Sequence, residues 1–403
     1  MNEEKNIDRV DGTGCGDCVD RGCADKSKPQ IQNYDIAAYI WPSYTGHEDR
    51  TRIFWPEGIG EWQTVKSAGP RFEGHKWPRK PLLGYKDEAE KETMAEQIDL
   101  AASHGVNVFI YDWYWYDRRP FLENCLNDGF LKAAEDDKRM RFYLMWANHD
   151  AGVLWDKRNS DRGLRSDFPP VWLGSIDEKE FRVVCDRVIN KYFKHPLYYT
   201  IDGKPAFSIY ECSNFIKGLG GVPQARKAIE MFREMCVKAG LPGLHLQLVL
   251  THPAAATHPG ATTPEIAREI GFDSITHYQY VHFTNIARPF PEIIPDLVRE
   301  WDNIAATYGI PYFPHVSVGW DATPRFHDYL GGIAVDNTPV NVGAHLREAC
   351  KYIDEKVRSG GSILPPLITV NSWNEWTEGS YLLPDDLYGT GYLDEIRKVT
   401  DIR

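Results

Sequence analysis

Glu375 and Glu378 stand three residues apart in "VNSWNEWTEGSYLLPD" (370–385), flanked by Trp373, Asn374 and Trp376 and followed by Gly379 and Tyr381. If the chain turns helically there, both side chains project from one side, with about 5 to 6 Å between Cβ atoms. Two carboxylates that close cannot both ionise freely, so one pKa rises and a proton donor sits beside an acceptor. That division of labour is what cleavage of a glycosidic bond requires. The plainer alternative is that one glutamate caps the turn or meets an arginine.

A pair of acids needs a frame that aims it. The segment before Glu375 is one of eight short apolar runs: 35–41, 106–115, 141–150, 205–212, 244–252, 274–280, 312–321 and 367–376. Between several of them lie segments with apolar residues at three- and four-residue spacing, such as "VPQARKAIEMFREMCVKAG" and "NVGAHLREACKYIDEKVRSG". Near-continuous apolar strands alternating with helices predict a parallel sheet covered by helices, and eight such units predict a (β/α)8 TIM barrel. An open doubly wound sheet is the alternative fold, but no glycine-rich phosphate loop follows the first strand. A long loop follows that strand, residues 42–85, carrying Trp55, Trp62 and Trp77. The stretch "HPLYYTIDGKPAFSIYE" reads as a hairpin turning at Asp202-Gly203 into the fourth strand.

In such a barrel the site forms at the C-terminal strand ends. These ends carry Tyr39 and Trp41; Asp112, Trp113 and Trp115; Trp146, Asn148, His149 and Asp150; Tyr210 and Glu211; His252; His277 and Tyr278; Trp320 and Asp321; then Trp373 to Glu378. Their clustering predicts one aromatic-lined cleft. Aromatic faces interleaved with carboxylates and amides suit a ligand with C–H faces and many hydroxyls, which describes a carbohydrate. Each Trp could instead be core, and His252 and His277 could be structural. Tyr39 and Tyr381 are also expected within reach of the cleft. Glu211 offers a competing acid, with Glu375 then a nucleophile, or it hydrogen-bonds a hydroxyl; Asp112 is expected to support substrate hydroxyls. His149, His252, His277 and His315 are spread over four strands without a His-x-His pair, and no Gly-x-Ser-x-Gly elbow occurs. No metal and no cofactor are expected.

Composition bounds the partners. With 46 Lys and Arg against 58 Asp and Glu, the net charge is -12, which disfavours nucleic acid and anionic lipid. No run of eighteen apolar residues occurs, and "MNEEKNIDRVDG" lacks the hydrophobic core of a signal peptide, so the chain reads as staying where it is made or as a mature secreted form. Nothing in the sequence specifies an oligomeric state. Residues 1–33 read as a flexible leader in which Cys15, Cys18 and Cys23 fall short of a four-ligand zinc set, and residues 34–403 as one catalytic domain. The five other cysteines are expected as buried thiols.

The element "VNSWNEWTEGSYLLPDDLYGTGYLDEIR", with "GVNVFIYDWYWYD" and "FYLMWANHD", resembles the glycoside hydrolase family 99-like, or WbsX-like, proteins over about residues 34–397. The resemblance implies a (β/α)8 barrel acting on a poly- or oligosaccharide with retention, including α-mannoside-type linkages. It implies that Glu375 deprotonates the sugar 2-hydroxyl, which attacks its own anomeric carbon, while Glu378 protonates the leaving oxygen. This chain reads Asn148-His149-Asp150 where WbsX-like members often read Asn-Glu-Asn, so substrate contacts there are expected to differ. A glycosyltransferase of polysaccharide biosynthesis and a non-catalytic glycan-binding barrel are the competing readings.

Overall fold

The computed structural model describes residues 33–152, 155, 169–326, 332–360 and 365–401. The cysteine-containing leader lies outside the described residues. Eight parallel strands follow the sequence reading: β1 (Asp35–Ile40), β2 (Val108–Tyr116), β3 (Arg141–Trp146), β4 (Lys204–Ile209), β5 (His245–Leu250), β6 (Ser274–His277), β7 (His315–Ser317) and β8 (Leu367–Asn371). Strands β1 to β6 pair in chain order, β7 pairs with β8, and β8 pairs with β1, as in Asp35 opposite Leu367. The ring closes between β6 and β7 through a parallel bridge of Ile275 to Tyr312, with the Phe313 N–H donating to the Ile275 carbonyl at 2.8 Å. This is the expected TIM barrel.

Every residue of β2 is buried, because one face of the strand fills the barrel and the other meets helices. The helix Glu178–Val188, here α1, shows how the outer layer is specified. Asp177 caps it by accepting from the Glu180 N–H at 2.8 Å. Phe181, Val184, Cys185 and Val188 are buried at the spacing of one helical face. Phe181 stacks on Trp146 of β3, with ring centroids 5.8 Å apart and planes 17° from parallel. Burying rings of this size is worth roughly 2 to 3 kcal/mol each. Longer helices Val222–Lys238 (α2), Phe290–Tyr308 (α3) and Pro339–Arg358 (α4) continue the layer. The predicted hairpin forms, Thr200–Ile201 pairing antiparallel with Lys204 and Pro205.

The loop after β1 is ordered by its aromatics. Trp55, Trp62 and Trp77 are all buried, and Trp62 packs between Tyr44 and Trp376. Cys125, Cys185, Cys212 and Cys236 are buried free thiols, and Cys350 is buried. Among the described residues no helix is long and apolar enough to cross a membrane.

Candidate active site

The segment after β8 does not continue as an α-helix. Asn374–Glu375 pairs antiparallel with Ser380–Tyr381, and Trp376–Glu378 forms a single 3₁₀ turn between them. Residues three apart eclipse in such a turn, so Glu375 and Glu378 emerge on one side. Gly379 closes the turn at φ +59°, and a Cβ there would lie 2.9 Å from the Asp321 Cβ. The Glu375 N–H donates to the Ser372 hydroxyl at 2.8 Å, and the Glu378 carbonyl accepts from the Asp321 N–H at 2.6 Å.

Both carboxyl groups line a cavity of about 300 Å³ at the C-terminal end of the barrel. Trp41, Asp112, His149, Asp150, Tyr210, Glu211 and Tyr278 line it too, as the sequence suggested. Tyr114, Met145, Ala147 and Trp155 complete the apolar and phenolic wall, with Arg325. Glu211 faces the cavity but also caps the short helix Cys212–Leu219, accepting from the Ser213 N–H at 3.3 Å and its hydroxyl at 2.6 Å.

The other expected cleft residues lie elsewhere, and for Trp113, Trp115, Trp146 and Asn148 the reason is that side chains alternate across a strand. On β2, Asp112 and Tyr114 point in, so Trp113 and Trp115 point to the helices, where their indole N–H groups bond Glu123 at 2.8 Å and Glu180 at 2.7 Å. By the same alternation Trp146 stacks on Phe181, and Asn148 braces β4, its amide bonding the Glu211 backbone twice at 2.8 Å. Trp373 reaches Gln97 at 2.7 Å. Trp376 stacks on Tyr381 at 3.8 Å, and the Tyr381 hydroxyl is taken by Asp385. Asn374 clamps the Trp41 backbone from both its amide atoms and donates to Glu88, whose carboxyl burial pushes up to about 8. Tyr39 lies deeper in the barrel, donating to the His277 carbonyl at 3.1 Å. His277 bonds the Tyr312 hydroxyl, His252 accepts from the Thr262 N–H, and Trp320 is half-buried outside the cavity.

Sequence reasoning missed Tyr114 and Trp155 in the wall, Glu61 behind it and, most consequentially, Arg325 from the loop after β7. Its Nη1 donates to Glu378 Oε1 at 2.6 Å, and its Nη2 lies 3.7 Å from Glu375 Oε1. Glu61, from the long loop, accepts from the Nε and Nη2 of the same guanidinium at 2.8 and 3.2 Å. Arg325 thus joins three carboxylates. Burial works against its charge, but Glu61, Glu378 and Glu375 outweigh that and hold it protonated. Burial raises the Glu375 carboxyl well above the usual carboxylate range, the neighbouring Glu378 adds to this, and Arg325 opposes it. Asp112 is likewise raised by burial, with the Tyr278 hydrogen bond opposing. His149 is lowered by burial, which keeps its ring neutral. The site therefore holds two carboxyl groups, Glu375 and Asp112, in which burial favours the neutral acid, inside an aromatic wall.

Residues 36–396 match the family model described as Glycosyltransferase WbsX. A curated relative from Xanthomonas campestris pv. campestris, described as "Uncharacterized protein WxcX", is 25% identical over 387 residues, covering 92% of this chain and 50% of the relative. The chain thus spans about half the length of the curated relatives it matches. Among solved structures, the GH99 endo-α-mannosidase from Bacteroides thetaiotaomicron aligns with a TM-score of 0.58 at 13% identity, covering 93% of this chain and 98% of that one. A structure titled "Glycoside hydrolase-like protein" aligns at 0.55 and 13% identity, over 92% of this chain and 95% of that one. At such identities the likeness is one of fold.

Proposed function

The chain belongs to the WbsX glycosyltransferase family, and we propose that it cleaves a glycosidic bond of a poly- or oligosaccharide with retention, using Glu375 and Glu378 as an acid–base pair. The observation that carries this reading is the convergence of both carboxyl groups on one guanidinium at the wall of the aromatic cavity, at 2.6 and 3.7 Å. The fold shared with an endo-α-mannosidase supports an α-mannoside-type linkage among the substrates.

In the first step the Glu375 carboxylate takes the proton of the sugar 2-hydroxyl, whose oxygen bonds to C1 as the C1–O glycosidic bond breaks. The leaving oxygen takes its proton from Glu378. Water then attacks C1, giving a proton to Glu378, while the 2-oxygen leaves C1 and recovers its proton from Glu375. Two inversions at C1 give net retention. These roles need the pair's single proton on Glu378, whereas in the unliganded site burial favours it on Glu375 and Arg325 bonds Glu378. Entry of the 2-hydroxyl beside Glu375 accompanies the transfer of that proton across the pair.

The test is incubation of the chain and its E375Q variant with a glycan panel, reading products by mass spectrometry and the first-formed anomer by NMR. Retained products from the wild type and none from E375Q are expected; cleavage that survives E375Q would defeat the reading. The family description favours a second reading, sugar transfer in the same cavity. A transferase of the nucleotide-sugar type would be stabilised by one nucleotide sugar in a thermal-shift panel, and a hydrolase by none.

A further inference from the structure

We infer that Arg325 is the positioning residue of the Glu375–Glu378 pair and that Glu61, on the loop after β1, sets how strongly it acts. The inference rests on reading the two glutamates as the acid–base pair. It begins from the shape of the guanidinium, whose donors lie in one plane. Glu61 takes Nε and Nη2 side by side at 2.8 and 3.2 Å, which fixes the rotation of that plane. Only then does Nη1 point at Glu378 at 2.6 Å, with Nη2 3.7 Å from Glu375. Glu61 is itself fixed, accepting from the Trp41 indole N–H and from the Ser43 hydroxyl at 3.3 Å.

The same loop grips the backbone that carries Arg325. Arg71 donates to the carbonyls of Thr323 at 2.9 Å and Phe326 at 3.2 Å. His75 meets Asp321 at 2.7 Å, and Asp321 accepts from the Thr323 N–H at 3.0 Å. A loop some 260 residues away in sequence thus orients a cation on the candidate acids. A purely architectural loop would have no need of a buried carboxylate competing with those acids for one guanidinium. The competition matters because these groups are withdrawn from water, where charges act on each other strongly. The other ionisable groups that act with Arg325 are Asp112 from β2, His149 after β3 and Tyr44 after β1. Burial disfavours charge on all three, so none of them takes the place of the guanidinium beside the pair.

The signs follow. Removing the Arg325 charge withdraws a cation that lowers Glu375, so its titration moves up. Removing the Glu61 charge withdraws an anion and leaves the guanidinium to the pair, so the titration moves down. A role in folding alone would produce no such opposition.

The experiment is ¹³C NMR titration of the full chain labelled at glutamate Cδ, with E375Q used to identify the Glu375 resonance. R325Q should move the Glu375 midpoint up by about one pH unit or more, R325K should return it toward the wild type, and E61Q should move it down. Where a glycan is cleaved, the acid limb of kcat against pH should shift in the same two directions. Shifts of one sign in both charge-removing variants, or none in folded protein, overturn the inference. If R325Q fails to fold by circular dichroism, E61Q and R325K decide it. The titration needs no turnover, so a chain that cleaves nothing while these shifts appear would fail the proposed function and keep the role of Arg325.

Discussion

The Tyr278 hydroxyl donates to Asp112 Oδ2 at 2.8 Å, tying the end of β6 to the middle of β2 across the cavity. The other oxygen, Oδ1, is buried without a partner among the described residues. Desolvation dominates there, and the neutral acid is favoured. A neutral Asp112 can donate a hydrogen bond to a ligand hydroxyl, which an ionised one cannot.

That protonation state has a consequence for stability. A carboxyl whose pKa is raised on folding contributes stability that is present below its unfolded value, about 3.9, and is lost as pH rises toward the folded value. Asn has no proton to lose. We therefore expect D112N to gain stability relative to the wild type as pH rises from about 4 to 8, read as a widening difference in Tm. A difference that stays constant with pH would mean that Asp112 is already ionised in the folded chain.

The paired glutamates separate by leaving group. An aryl glycoside with a good leaving group needs little help from an acid, whereas it still needs the base. With Glu378 as acid, E378Q should keep the first step on such a substrate, read as a burst of aryl alcohol before the water step limits turnover, while losing roughly 10²- to 10⁴-fold on a natural glycan. E375Q should lose both. The opposite pattern would exchange the two roles, the assignment favoured by where burial puts the proton in the unliganded site.

The strands were legible because both faces of each are buried, which leaves an apolar run that nothing else in the chain imitates. That same property hid which way the aromatics point. In "DWYWY" every residue suits an interior, and only Asp112, a carboxyl that must face the polar cavity, marked the phase by which Tyr114 turns in and Trp113 and Trp115 turn out. Arg325 and Glu61 were not legible, because each sits in a loop without periodicity and their pairing joins distant parts of the chain. The glutamate pair was legible as a spacing, although a 3₁₀ turn realises it where an α-helical turn was expected.

Matched tryptophan variants test the phase of the strands. Trp41 lines the cavity, so W41A should raise KM about tenfold by removing a stacking wall and loosening Glu61. Trp113 lies on the helix side, and W113F removes its 2.8 Å bond to Glu123. It should lower stability by about 1 to 2 kcal/mol with KM unchanged. Calorimetry and steady-state kinetics on the same preparations decide this, and a KM effect in W113F would contradict the placement.

Gly379 provides the sharpest test of how the acids are aimed. Its φ of +59° is costly for any residue with a Cβ, and that Cβ would meet the Asp321 Cβ at 2.9 Å and its backbone N at 3.1 Å. Asp321 cannot retreat easily, since His75 holds its carboxylate at 2.7 Å and its N–H bonds the Glu378 carbonyl at 2.6 Å. Gly389 has nearly the same φ, +58°, with nothing within 4 Å of the added atom. The backbone penalty, about 1 kcal/mol, is common to both positions. G389A should therefore show that penalty alone with full turnover. G379A should lose about 1 to 3 kcal/mol more, together with most of its turnover, because the turn carrying Glu378 must shift to relieve the clash. Equal losses of stability and activity in the two variants would mean that the contact with Asp321 does not hold the turn in place.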